Sequence, residues 1–181
     1  MQTILLAVIV VGSVVAFWFG VQVAFRTQYP LLTVASGSMS PTLNVGDLIV
    51  VQGVLNASDL KAGPNPEGDI VVFRSPRTEG ELIVHRAVHK EMHEGLWYIQ
   101  TKGDASTNPS PDIWSGTGTW NGMISEGLLI GRVVGKAPWL GYVPLYIRTP
   151  SGMILIVFLI ILIIVAEYIP ALFKKQTPTE G

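Results

Sequence analysis

Two serines bracket a glycine in Ser36-Gly37-Ser38-Met39-Ser40-Pro41-Thr42, the stretch of this chain best suited to present a nucleophile. Gly37 permits backbone angles closed to other residues and Pro41 fixes the exit, so a hydroxyl can be turned outward. An ordinary Ser/Gly/Pro turn has the same composition. A serine needs a base to attack at neutral pH, and the chain offers three histidines, His85, His89 and His93. An orienting acid would complete a triad, and Asp104 and Asp112 lie just downstream. Triads assemble in space, so separation along the chain does not choose among these residues.

Other chemistries find less material. The sequence has no cysteine, which removes thiolate zinc sites, Fe–S clusters, disulfide scaffolds and cysteine nucleophiles together. The three histidines recur every four residues and would stack on one face of a helix as metal ligands. However, His89-Lys90-Glu91-Met92-His93 carries its glutamate in the second intervening position, not beside the first histidine as H-E-x-x-H requires. Leu82-Ile83-Val84 ahead of His85 favours a strand, so His89 and His93 read as solvated hairpin residues and no metal or cofactor is expected. With 12 Lys+Arg against 13 Asp+Glu the net charge is −1, which gives no basic field for nucleic acid.

The elements that would position these residues are short β-branched runs broken by Gly, Pro, Asn and Asp: residues 47–51, 69–73, 82–88, 96–100 and 128–134. Five or more strands make a mostly β domain. Lys90 to Gly95 is polar and ends in glycine, so strands over 82–89 and 96–101 should form a hairpin. Residues 57–68 and 105–121 are rich in Pro, Gly, Ser, Thr and Asn and read as long surface loops, which in compact domains are often functional. Asn56-Ala57-Ser58 is a glycosylation sequon, relevant only where the host modifies the outer face.

The apolar residues gather at the two ends. Hydrophobic residues make up 49% of the 181 and charged residues 14%, against about 25% charged in an average soluble chain, so disorder is excluded and a bilayer is the natural solvent. From Ile4 to Phe25 there is no charge, and about 22 residues at 1.5 Å each cover the ~30 Å of a bilayer core. The uncharged Met1-Gln2-Thr3 lacks the basic start of a cleaved signal peptide. Met153 to Ala166 is a second apolar run with no polar face, long enough to span if it continues through Glu167 to Phe173. Lys174 and Lys175 then set the C-terminus on the cytoplasmic side. The expected organisation is a membrane helix over 1–25, an extracytoplasmic β domain over 26–150, a second membrane helix over 151–173 and a cytoplasmic tail over 174–181.

Ser36 to Thr42 with Gly46-Asp47, then Gly68-Asp69-Ile70-Val71-Val72-Phe73, Ile83-Val84-His85-Arg86 and Thr101-Lys102-Gly103-Asp104, resembles the ordered motif series of type I signal peptidases. Ile130 to Gly135 followed by Gly141-Tyr142 resembles the family's closing segment. The resemblance implies that Ser38 is the nucleophile and that Ser36 donates to the oxyanion. Most bacterial members carry lysine where this chain has His85, so the sequence resembles the endoplasmic-reticulum and archaeal branch, which uses Ser, His and Asp. The branch often reads Gly-Asp-Ala-Asn-Pro-x-Pro-Asp, whereas here two extra residues precede Asn108-Pro109-Ser110-Pro111-Asp112. Asp112 aligns with the triad acid and Asp104 with a supporting one, which its place after Gly103 would commit to local backbone hydrogen bonds.

The resemblance thus implies a membrane-bound serine endopeptidase that cleaves signal peptides from exported preproteins. Its catalytic face would lie outside the cell membrane, or on the lumenal side of the endoplasmic reticulum in a eukaryote. Small residues at the first and third positions before the cut imply shallow pockets. Partners would be emerging signal peptides, the bilayer and any accessory subunits. The alternative is an inactive membrane-anchored β module that binds a protein through aromatics such as Trp97, Trp114, Trp120 and Trp139.

Overall fold

The structure, a computed structural model, describes residues 2–174. The chain divides into two compact units between Gly141 and Tyr142.

The first unit opens with helix α1 (Gln2–Phe25), uncharged and apolar but for Gln2, Thr3, Ser13 and Gln22, whose described side chains are mostly exposed, as those of a lipid-facing helix would be. Its Val8–Phe25 stretch has a mean hydropathy of 2.2 and is the one helix among the described residues long and apolar enough to cross a membrane. Beyond it a single antiparallel sheet is built from β1 (Leu31–Thr33), β2 (Leu48–Gln52), β3 (Ile70–Arg74), β4 (Leu82–His93), β5 (Leu96–Lys102), β6 (Thr119–Trp120), β7 (Met123–Ser125) and β8 (Leu129–Ala137). Their spatial order is β1-β2-β8-β3-β4-β5-β7-β6, so the last strand inserts between β2 and β3.

Strand β3 explains where the core sits. Its run Val71-Val72-Phe73 is fully buried without alternation, because both faces are covered. Val71 and Phe73 join Ala57, Leu60, Ala87, Ile99 and Ile124 in one cluster. Val72 points the other way into Val34, Met39, Leu43, Ile49 and Val51. The second cluster matters for the site, because Met39 and Leu43 belong to the serine-bearing loop and are 1% exposed.

All five expected strands are present, with three short ones in addition. β1, β6 and β7 have two or three residues each, too few for a period-2 pattern to register. β4 runs on through His93 and pairs His93 with Leu96, so the hairpin turn is only Glu94-Gly95 and not the expected Lys90–Gly95. Both turn residues have positive φ, 49° and 82°, the geometry that matches strand twist. The stretch 57–68 is not wholly a surface loop: a 3-10 turn at Ala57–Asp59 buries Ala57 and Leu60. Within 105–121, Trp114 packs on the first core cluster and β6 joins the sheet.

Gly53 ties α1 to the sheet. Its N–H donates to the Phe25 carbonyl at 2.8 Å, and a Cβ there would lie 2.0 Å from the Arg26 carbonyl oxygen, so only glycine admits the approach. The helix end is therefore held against the exit of β2.

The second unit contains α2 (Tyr142–Ile147) and α3 (Pro150–Lys174). Within the 26–150 stretch expected as the β domain, Tyr142–Ile147 are helical and Pro150 opens α3. The second apolar run lies within one helix, α3, which continues through Pro170. Lys175 and the tail to residue 181 lie outside the described residues.

Candidate active site

The loop after β1 carries the serines. Ser40 N–H donates to the Gly37 carbonyl at 3.1 Å and Leu43 N–H to the Met39 carbonyl at 2.9 Å, so residues 37–43 form a tight, nearly helical turn. Met39 and Leu43 pin that turn into the core, leaving Ser36 exposed and Ser38 half-buried at the rim. Lys136 on β8 donates to the Thr42 carbonyl at 2.7 Å and holds the loop from below. Ser36 Oγ and Ser38 Oγ are 3.4 Å apart.

His85 lies on β4 opposite Val71 of β3 and is 8% exposed. Its Nδ1 sits 2.6 Å from Asp112 Oδ2. Asp112 reaches it because its own N–H donates to the Thr101 carbonyl at 2.8 Å, which docks the segment after the two prolines onto β5. The other imidazole nitrogen, Nε2, faces Gly103. A Cβ at Gly103 would lie 3.3 Å from His85 Nε2, 2.6 Å from the Ser38 carbonyl oxygen and 2.4 Å from Asn108 Nδ2. A side chain at 103 would thus occupy the space beside both Ser38 and His85. Ala105 N–H donates to the same Ser38 carbonyl at 3.0 Å, fixing the serine from the far side.

Ser38, His85 and Trp114 line a cleft of about 360 Å³ whose walls include Val34, Ala35 and Leu82. No hydrogen bond joins Ser38 to His85 among the described residues. Such bonds are commonly loose without substrate and close in the reacting complex.

Asp104 does not hold its own turn. Arg86 donates through Nε to its Oδ1 at 2.8 Å and through Nη2 to its Oδ2, while Thr42 Oγ1 donates to Oδ2 at 2.6 Å. Both charged side chains are about 5% exposed or less. Burial pushes the Asp104 carboxyl up, but the Arg86 and Thr42 hydrogen bonds, the Arg86 charge and, last, His85 hold it below its ordinary value. The pair links three elements: the serine loop through Thr42, β4 one residue past His85, and the turn after β5. Arg86 Nη1 also donates to the Gly68 carbonyl, so the guanidinium is well satisfied.

The other histidines are elsewhere. Residues four apart on a strand are roughly 13 Å apart, too far for one ion to bridge. His93 is not simply solvated, since it stacks on Trp120 with ring centroids 4.0 Å apart. His89 is exposed and lies 3.8 Å from Glu91. Sequence reasoning overlooked Thr101, whose hydroxyl is 2.7 Å from Asp112 Oδ2, and the structural role of Arg86. A lone threonine inside a strand gives no signal, but an arginine in an apolar strand does.

The family described as "Signal peptidase, peptidase S26" matches residues 1–89, a span that includes Ser38 and His85. The signal peptidase complex catalytic subunit sec11 of Dictyostelium discoideum is 34% identical over 138 residues, 75% of this chain and 70% of that protein. The SEC11 catalytic subunit of Tuber melanosporum is 30% identical over 151 residues, 80% of this chain and 77% of its own length. That of Saccharomyces cerevisiae is 28% identical over 150 residues, 81% and 83% of the two chains. Likeness over most of both lengths, on a chain whose Ser38 and His85 line one cleft and whose Asp112 holds His85, leads to one conclusion: the protein belongs to the signal peptidase family, peptidase S26.

Proposed function

We propose that the chain is a membrane-bound serine endopeptidase that removes signal peptides from preproteins, with Ser38 as nucleophile, His85 as general base and Asp112 as orienting acid. One observation carries the assignment: His85 directs Nδ1 at Asp112, at 2.6 Å, and Nε2 toward the gap beside Ser38 and Gly103. A base oriented by an acid through one nitrogen, with the other nitrogen free beside the serine-bearing loop, can take the serine proton once substrate is bound. His85 Nε2 takes the Ser38 proton as Oγ bonds to the scissile carbonyl carbon. The resulting oxyanion is met by backbone N–H groups and the Ser36 hydroxyl, and His85 returns the proton to the leaving amine. Water, deprotonated by His85, then attacks the acyl-enzyme and releases Ser38.

Asp104 is assigned to positioning, through Arg86 and Thr42, rather than to proton transfer. α1 is the membrane anchor and holds Ser38 close to the surface where a cleavage segment emerges, which raises its effective concentration. α3 is read as a second span, with both termini on the cytoplasmic side and residues 26–141 outside. The branch is the endoplasmic-reticulum type, supported by the histidine at position 85 and by relatives that are catalytic subunits of a complex. Assembly with accessory subunits follows from the same likeness.

Cleavage of a labelled preprotein by the purified chain in detergent tests the proposal, with Ser38→Ala as control. Activity of the variant should fall by at least about 10³-fold with the fold unchanged. Residual activity within about tenfold of wild type would remove Ser38 from its role.

A further inference from the structure

The acid's second partner defines a hydrogen-bond chain with a fixed direction. Trp114 Nε1 lies 2.8 Å from Thr101 Oγ1, Thr101 Oγ1 lies 2.7 Å from Asp112 Oδ2, and Asp112 Oδ2 lies 2.6 Å from His85 Nδ1. An indole N–H only donates, so the Thr101 oxygen accepts from Trp114 and its single proton is free to point at Asp112. The carboxylate in turn accepts, and the imidazole proton is drawn to Nδ1. Nε2 is left as an acceptor toward Ser38, the tautomer a general base requires.

The members are held rigidly. Thr101 is 0% exposed on β5. The Trp114 ring packs edge-on to Phe73 with centroids 5.4 Å apart, and the Arg77 guanidinium covers it 5.2 Å from the ring centroid. The same indole is a wall of the cleft that Ser38 and His85 line.

We propose that Trp114 and Thr101 are positioning residues of the proteolytic site: Trp114 orients the Thr101 hydroxyl, which fixes Asp112 and so the tautomer of His85, while the indole face bounds the bound peptide. This rests on the Ser38–His85–Asp112 reading. Neither residue touches the reacting atoms, so their effect should appear in turnover more than in substrate binding.

The test is steady-state cleavage of a labelled preprotein by the full-length chain in detergent, with thermal midpoints recorded for every variant. Thr101→Val keeps shape and removes the hydroxyl; it should lower kcat about 10- to 100-fold, as loss of a hydrogen bond to a charged group does, with KM within about twofold. Thr101→Ser should restore most of it. Trp114→Phe keeps an aromatic wall but deletes the donor, and should lower kcat about 2- to 10-fold at little change in KM. Trp114→Ala should raise KM as well. In an Asp112→Asn background Thr101→Val should add little, because the group it orients is already disabled; a merely structural threonine would multiply its loss there instead. Wild-type kcat in Thr101→Val, with Asp112→Asn inactive, overturns the relay. Near-wild-type turnover in Asp112→Asn would instead overturn the triad on which it stands. Should Thr101→Val not fold, Trp114→Phe decides by the same readouts: unchanged kcat refutes, a kcat-only loss supports.

Discussion

Asp112 and Asp104 lie eight residues apart and each accepts short hydrogen bonds, yet the structure predicts opposite consequences for replacing them with asparagine. At Asp112 the Oδ2 position takes two donors, His85 Nδ1–H and the Thr101 hydroxyl. An asparagine that keeps its amide oxygen there preserves both bonds and loses the charge. A carboxylate and an imidazolium about 4 Å apart interact by about 4 kcal/mol at an effective dielectric of about 20, which is a loss of roughly 10³-fold. An asparagine that turns its NH2 to His85 also inverts the tautomer, and the total then approaches the ~10⁴-fold loss known for Ser-His-Asp sites. Asp112→Asn should therefore lose 10³- to 10⁴-fold, on that order, in turnover. The side chain is partly open to solvent and its backbone anchor to Thr101 survives, so the thermal midpoint should barely move.

At Asp104 the same change breaks a buried bidentate pair. The Arg86 side chain is 5% exposed, and removing one partner of a buried ion pair costs about 3–5 kcal/mol because the other charge is left uncompensated. For a chain of this size that lowers the melting temperature by about 6 to 20 °C. Activity should fall through loosening of the serine loop and recover as temperature is lowered. Both variants are assayed for single-turnover cleavage and for thermal unfolding in the same detergent. The reasoning is refuted if Asp112→Asn keeps turnover within about tenfold of wild type while Asp104→Asn is folded and inactive at every temperature.

Three further outcomes are expected. His85→Ala should be inactive, whereas His89→Ala and His93→Ala should cleave near the wild-type rate and chelators should leave the wild type unaffected; loss on chelation restored by zinc would revive a metal reading. Because the Asp104 carboxyl is held below its ordinary value of 3.8, its ionised form stabilises the fold fully above that pH and the contribution is lost as pH falls from there through the lower folded value. The melting temperature of the wild type should therefore fall more steeply below pH 3.8 than that of Asp104→Asn, and parallel curves would contradict the shift. Protease added outside vesicles of native orientation should cut the 26–141 region and spare an epitope fused after Gly181; a protected middle region would overturn the topology.

How much of this was legible in the sequence depended on whether the determining interactions were local. The five main strands were legible because a run such as Ile70 to Phe73 is apolar enough to register whichever face it buries. The hairpin β6–β7 was not read, although Asn121-Gly122 stands between Trp120 and Met123 with φ of 48° and 79°, the strongest two-residue signal a sequence offers. The flanking strands were too short to call attention to it. The serine, histidine and acid were legible as an inventory and, in order, as a family resemblance. Their arrangement was not, because it is set by long-range contacts with no local period: Ala105 to Ser38, Thr42 to Asp104 over 62 residues, and Asp112 to β5.

Those contacts also give the two extra residues before Asn108 a physical reading. Asp104 must stay beside Arg86, and Ala105 must reach the Ser38 carbonyl. The chain then has to turn, through the bond from Asn108 N–H to the Ala105 carbonyl, and return to Thr101 before Asp112 can face His85. The segment is fixed at one end by the bond from Ala105 to the serine loop and at the other by those of Asp112 with Thr101 of β5 and with His85 of β4. Extra length between fixed ends costs little, since loop entropy grows only with the logarithm of length. What the loop cannot change without loss is the position of its two anchors, and that is why an insertion here leaves Asp112 on His85.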